Sequence, residues 1–132
     1  MKFSSDLANF ARKTGISMDK VVRKISLDLM RDLVMGTPVD TGHARSNWFV
    51  GTNRDGGIDK AMAKNGSPSL ARAAQFATAL RAGGVFYITN NLPYIMRLEY
   101  GHSKVQAPLG WVRATVARFQ QKVDSAAREV NP

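Results

Sequence analysis

The chain has 132 residues, a formal charge of +9 from 19 basic and 10 acidic side chains, and no cysteine. That length fits one domain with a real core, and 44% hydrophobic with 22% charged residues is a globular balance rather than a disordered or fibrous one. The missing thiols exclude disulfides, thiolate nucleophiles and cysteine zinc sites; no apolar run reaches the ~18–20 residues of a membrane span, and the N-terminus lacks the apolar core of a signal peptide, so manufacture and use in the cytoplasm are expected.

A first helical pattern over Ser5 to Lys13 places Leu7, Phe10 and Ala11 on one face, and Gly15 interrupts it. Met18, Val21, Val22, Ile25, Leu29 and Leu33 then recur at three- and four-residue steps, which predicts an amphipathic helix with Ser17 as N-cap and Gly36 just past its end. Pro38 fixes its own φ and pushes Thr37 toward an extended conformation, so no helix continues through it. Asp40, Thr41 and Gly42 read as a turn, with the Asp40 side chain accepting from downstream backbone donors and Gly42 free to take positive φ.

Asn47 to Thr52 reads as a short strand, and residues 53–67 as an exposed, flexible excursion. Ser67 as cap and Pro68 as first helical residue open a small-residue helix that reaches the Gly83, Gly84 stop. Val85 to Thr89 reads as a strand, Pro93 opens a short helix through Tyr100 that Gly101 ends, and His102 to Leu109 is a loop pinned by Pro108. Gly110 to Val130 places Val112, Val116, Phe119, Val123, Ala126 and Ala127 on one face of a final helix. The expected fold is a single α+β domain over residues 1–132, long amphipathic N- and C-terminal helices packed on a small, mainly antiparallel sheet.

A net positive chain favours nucleic acid, an acidic protein surface or a membrane surface as neighbour. The cations are spread along the chain without a dense tail, which reads as a solvated basic surface. His102 beside Glu99, Ser103 and Lys104 suggests a hydrolytic cluster, but one short loop supplies neither an orienting acid nor an oxyanion site, and two isolated histidines make no metal site. Gly56, Gly57 and Gly83, Gly84 lack the Lys-Ser or Lys-Thr that follows a phosphate-cradling loop. Arg45 has three readings, as a phosphate ligand, a partner of Asp40 across the turn, or a solvated cation, of which the pairing with Asp40 is preferred. Trp48, Phe49, Phe86 and Tyr87 read as core or sheet-face residues. Tyr94, Ile95, Leu98 and Tyr100 are too large for a seven-residue helix to bury alone, and with Arg97 and Glu99 beside them they form the best candidate for a subunit interface; closure of the local core is the other reading.

Two runs carry a resemblance. The first follows the long helix and reads Thr37, Pro38, Val39, Asp40, Thr41, Gly42, then Ala44, Arg45, Ser46, Asn47, Trp48; the second reads Ile88, Thr89, Asn90, Asn91, Pro93, Tyr94 and Leu98 to Lys104, with Gln106, Ala107, Pro108, Gly110, Val112 and Arg113 after it. In this order and spacing, over roughly residues 17–130, the chain resembles the tail-component family of long-tailed bacteriophages, which act as neck or tail-completion proteins.

The resemblance implies a virion structural protein at the head–tail junction, part of a homo-oligomeric ring around the DNA channel. It implies no enzymatic activity, no cofactor and no membrane. The implied partners are connector, head-closure, tail-terminator or tube proteins, with non-specific DNA contact in the channel. Its matched positions are Thr37, Pro38, Asp40, Thr41, Gly42, Arg45 and Trp48 in the first run and Asn91, Pro93, Tyr94, Glu99, Tyr100, Gly101, Pro108 and Arg113 in the second, which it implies serve fold definition and subunit contact; with Arg97 from the residue reading, Asn91, Tyr94, Glu99, Tyr100 and Gly101 make up the expected subunit interface. A tail terminator ring is the neighbouring alternative; a small basic nucleic-acid-binding protein is the alternative from another class and rests on charge alone.

Overall fold

The structure is a computed structural model that describes residues 9, 12, 15, 17–54, 57–81, 85–102 and 110–130. The expected first helix falls mostly outside the described residues, although Asn9 and Arg12 have helical backbone and Arg12 donates to the Asn9 side chain. The Gly83, Gly84 stop, the loop with Pro108, and Asn131 and Pro132 also lie outside them.

Helix α1, Met18–Gly36, starts where Ser17 caps it: the Ser17 hydroxyl accepts from Lys20 N at 3.2 Å, and Asp19 adds negative charge to the first turn. It stops where expected, within one residue, because Thr37 is held extended (φ −63°, ψ 126°) ahead of Pro38. Strand β1, Phe49–Gly51, and strand β2, Tyr87–Thr89, pair antiparallel with Val50 opposite Ile88. Between them runs α2, Ser67–Ala77. A single helical turn α3, Ile95–Arg97, widens into a π-helical turn over Leu98–His102, and α4, Trp111–Val130, closes the chain. The α+β class is therefore present, with helices carrying most of it.

Both strands are shorter than expected, and several other details differ from the sequence expectation. Helix α2 is capped by Gly66 in the left-handed region (φ 71°), with Asn65 Oδ1 accepting from Ser67 N at 3.0 Å, so Ser67 lies inside the helix. It ends at Ala77 rather than running on toward the glycine pair, and Leu80 is buried just after it. Gly101 does not end the short helix but sits within the π turn. On α4 the buried side is Trp111, Thr115 and Val123 flanked by Val112 and Phe119, while Val116 is exposed.

Helix α1 is the axis of the domain and packs against both α2 and α4. Its N-terminal half meets α4 through Val21 and Val123, with Ile25 and Phe119 beside them. Its C-terminal half supplies Leu33 and Val34 to a cluster with Trp48 and Trp111, and Met30 meets Ala73 and Ala77 of α2. The alanines of α2 are what let the two helices approach.

Candidate interaction surface

The Thr37–Trp48 turn is held by side chains that reach backbone. Thr37 is fully buried; its hydroxyl donates to Leu33 O at 2.7 Å and accepts from Trp48 Nε1 at 2.8 Å. Thr37 N goes to Val34 O instead of continuing the helical ladder, so the hydroxyl replaces the N–H that Leu33 O would otherwise receive. Gly42 has φ 88°, and a Cβ there would lie 2.5 Å from the backbone of Ala63 and Lys64, which pass directly over it. The turn's side-chain acceptor is Thr41, whose hydroxyl takes His43 N at 3.2 Å; the role expected of Asp40 falls to it, and Asp40 is exposed.

Arg45 does not pair with Asp40. Its guanidinium donates to Met35 O at 2.8 Å, to Thr37 O at 3.0 Å and to Lys64 O at 2.9 Å. The last turn of α1 contains no basic residue, and Arg45 brings the missing cation to its C-terminal carbonyls from across the turn. Burial pulls its pKa below the usual arginine value. Gly66 is required alongside, since a Cβ there would meet Val34 Cγ1 at 2.7 Å and Arg45 Cγ at 2.9 Å.

Arg72, unremarked in the sequence, is the second organiser. From α2 it donates to Trp48 O at 2.9 Å, to Ser46 O at 2.5 Å and to Asp59 Oδ2 at 3.0 Å, while its guanidinium lies 4.2 Å from the Phe49 ring centroid. Ser69 Oγ, one helical turn earlier, takes Trp48 N at 3.0 Å. The Asp59 carboxylate sits below its ordinary pKa, chiefly because it accepts from Ala61 N and then because Arg72 donates to it. The excursion therefore does not loop free after residue 57: it lies along the turn, tied down by Asn47, Ser46 and Arg72.

In the second run, Glu99 is buried and its carboxylate is turned to the chain's own backbone. Its Oε1 accepts from Val112 N at 2.9 Å and its Oε2 from Arg113 N at 2.9 Å and Arg113 Nε at 3.0 Å. Those N–H groups open α4, so Glu99 caps a helix that has no acidic residue in its own first turn. Arg113 also returns a bond to Glu99 O at 2.9 Å, and Gly110 (φ 83°) leaves room for the pair. Asn91 is likewise used internally, donating to Gly57 O at 3.0 Å.

Of the remaining expected interface residues, Tyr94, Arg97 and Tyr100 reach the surface, joined by Met96, which was not among them. Met96 and Tyr100 are each 61% exposed, and Tyr94 and Arg97 are exposed beside them; Gly101 contributes backbone to the π turn. The Arg113 guanidinium covers one face of Tyr100 at 4.4 Å from its centroid. Tyr94 has its pKa raised, first by burial of part of its ring and then by the Asp40 charge. The patch thus joins the two runs and stands on a turn clamped to α4.

Elsewhere, a shallow groove of about 510 Å³ between α1 and α2 is lined by Leu27, Ala74 and Ala77 and rimmed by Lys20, Arg23 and Lys24. Among the described residues no helix is long and apolar enough to cross a membrane, and no three His, Asp or Glu side chains gather as metal ligands. Compared with family models, with curated proteins and with solved structures, the chain finds no match in any of the three.

Proposed function

We propose that this chain is a structural subunit of a tailed-phage virion, a neck or tail-completion component that works in a ring around the DNA channel. The reading is carried by one observation: the two runs that resemble the tail-component family fold against each other, with Asn90 donating to Ala44 O and Trp48 beside Trp111, keep Thr37, Arg45, Trp48 and Glu99 for internal architecture, and leave Tyr94 and Tyr100 outside, with Met96 and Arg97 between them, on a clamped turn. Tyr and Arg, with Met between them, are side chains favoured at the core of protein contacts, and a preorganised turn loses little entropy on docking. In a ring, a weak contact repeated around the symmetry axis gives a stable assembly, because each further contact is made within an already tethered set.

The test is electron microscopy of particles made when the gene is disrupted in its parent phage or prophage. DNA-filled heads accumulating beside separate tails support the joining role, tails of abnormal length transfer the assignment to a terminator ring, and ordinary infectious particles refute the virion role.

A further inference from the structure

Residues 57–63 show two alternations of period two, the pattern of an extended strand. Side-chain exposure alternates, with Ile58, Lys60 and Met62 outside and Gly57, Asp59, Ala61 and Ala63 half-buried. Hydrogen bonding alternates in step. The Asn47 carboxamide accepts from Asp59 N at 2.7 Å and donates to Asp59 O at 2.9 Å, the two-point pairing a neighbouring strand would make. The Ser46 hydroxyl does the same at Ala63, accepting from its N at 3.0 Å and donating to its O at 3.2 Å. Ala61 N goes to Asp59 Oδ1 at 2.8 Å. Side chains have taken the place of a partner strand along the inner edge.

The outer edge has no such cover. Among the described residues, no hydrogen bond reaches the backbone N–H or C=O of Ile58, Lys60 or Met62. The same stretch exposes 54% of Ile58 and 60% of Met62, with Lys60 and Lys64 alternating between and after them. An unpaired edge flanked by exposed apolar side chains is a template for another strand. A second copy is a poor occupant: two such edges would bring lysines together on a chain already at +9, and like charges opposite one another oppose pairing.

We propose that this edge takes an extended segment of a different protein by strand addition, with apolar and acidic side chains alternating along the face that meets Ile58, Lys60, Met62 and Lys64. Backbone pairing supplies the attachment, and the partner's carboxylates opposite Lys60 and Lys64 supply the choice of partner.

The probe is a seven-residue peptide, Val-Thr-Glu-Thr-Val-Thr-Glu, added to the full chain while amide exchange is followed residue by residue. Slowing of the Lys60 and Met62 amides by about tenfold or more at saturation, with no effect from the same peptide N-methylated at alternate amides, is the expected result, since pairing must close the ladder to protect an N–H. Lys60→Glu, which disturbs no internal bond, should reverse the preference toward a peptide with lysine in place of glutamate. Unchanged exchange at Lys60 and Met62, or equal slowing by the N-methylated peptide, overturns the proposal. Protection that is already present without peptide and grows with protein concentration also overturns it, by assigning the edge to a second copy.

Discussion

Thr37→Val keeps the shape of a fully buried side chain and removes only its hydroxyl, so it isolates two hydrogen bonds. Leu33 O and Trp48 Nε1 both lose their partner beside a fully buried side chain. Each buried orphan costs roughly 1–3 kcal/mol. The methyl group gained returns about 0.8 kcal/mol. The net loss expected is about 1–5 kcal/mol, which for a chain of this length lowers the melting temperature by roughly 4–18 °C. Thr37→Ser keeps both bonds and gives up one methyl, for about 1 kcal/mol. Urea unfolding followed by tryptophan fluorescence and by circular dichroism gives both numbers and tests the two-state assumption. Should the valine variant prove as stable as the serine variant, the hydroxyl is not the joint between α1 and the turn, and the reasoning fails.

Gly42→Ala should destabilise far more than Gly15→Ala, because both glycines have positive φ and cost about 1–2 kcal/mol for that alone, but only Gly42 lies against backbone while Gly15 faces open space; thermal melts of the two compare them directly. Glu99→Gln keeps one acceptor oxygen and loses the charge at the start of α4, and should cost about 1–2 kcal/mol with faster amide exchange at Val112 and Arg113. Asp59 has a folded pKa below its unfolded value near 3.9, so its contribution is complete above that value and is lost as pH falls through the folded pKa. Asp59→Asn should therefore narrow the difference in urea midpoint between neutral and acid pH, and an unchanged difference would exclude Asp59 as a contributor. Met96→Asp should leave the melting temperature within about 2 °C, as an exposed site allows, yet abolish incorporation into particles scored by immunoblotting; normal incorporation would remove this patch from the interface.

The parts of the fold that the sequence made legible are those whose causes are local. Ser17 before an amphipathic run and Pro38 behind it bracket α1 with two residues' own stereochemistry, and the structure follows them closely. What stayed hidden depends on groups distant in sequence. Closeness in the chain points Arg45 to Asp40, whereas the stronger demand comes from the carbonyls of Met35 and Thr37 at a helix end without its own cation. That absence was a readable signal. So was the start of α4, where Gly110, Trp111, Val112 and Arg113 offer no side-chain cap and Glu99 fills the need. Arg72 had no local signature at all: it follows Pro68 on a helix of alanines, and only the fold places Ser46, Trp48 and Asp59 around it. Within the expected interface, Glu99 and Asn91 bond backbone of their own chain, while Tyr94, Arg97 and Tyr100 are exposed.

The contact between Val21 near the start of α1 and Val123 near the end of α4 has a consequence during synthesis. At about 5–20 residues per second, a ribosome needs roughly 5–20 s to add the hundred or so residues that separate them. Throughout that interval the stripe of Met18, Val21, Val22 and Ile25 has no α4 to cover it. A chaperone that binds short apolar helical segments would find its substrate in the nascent chain here, and premature termination before α4 would release a product fit for aggregation or proteolysis.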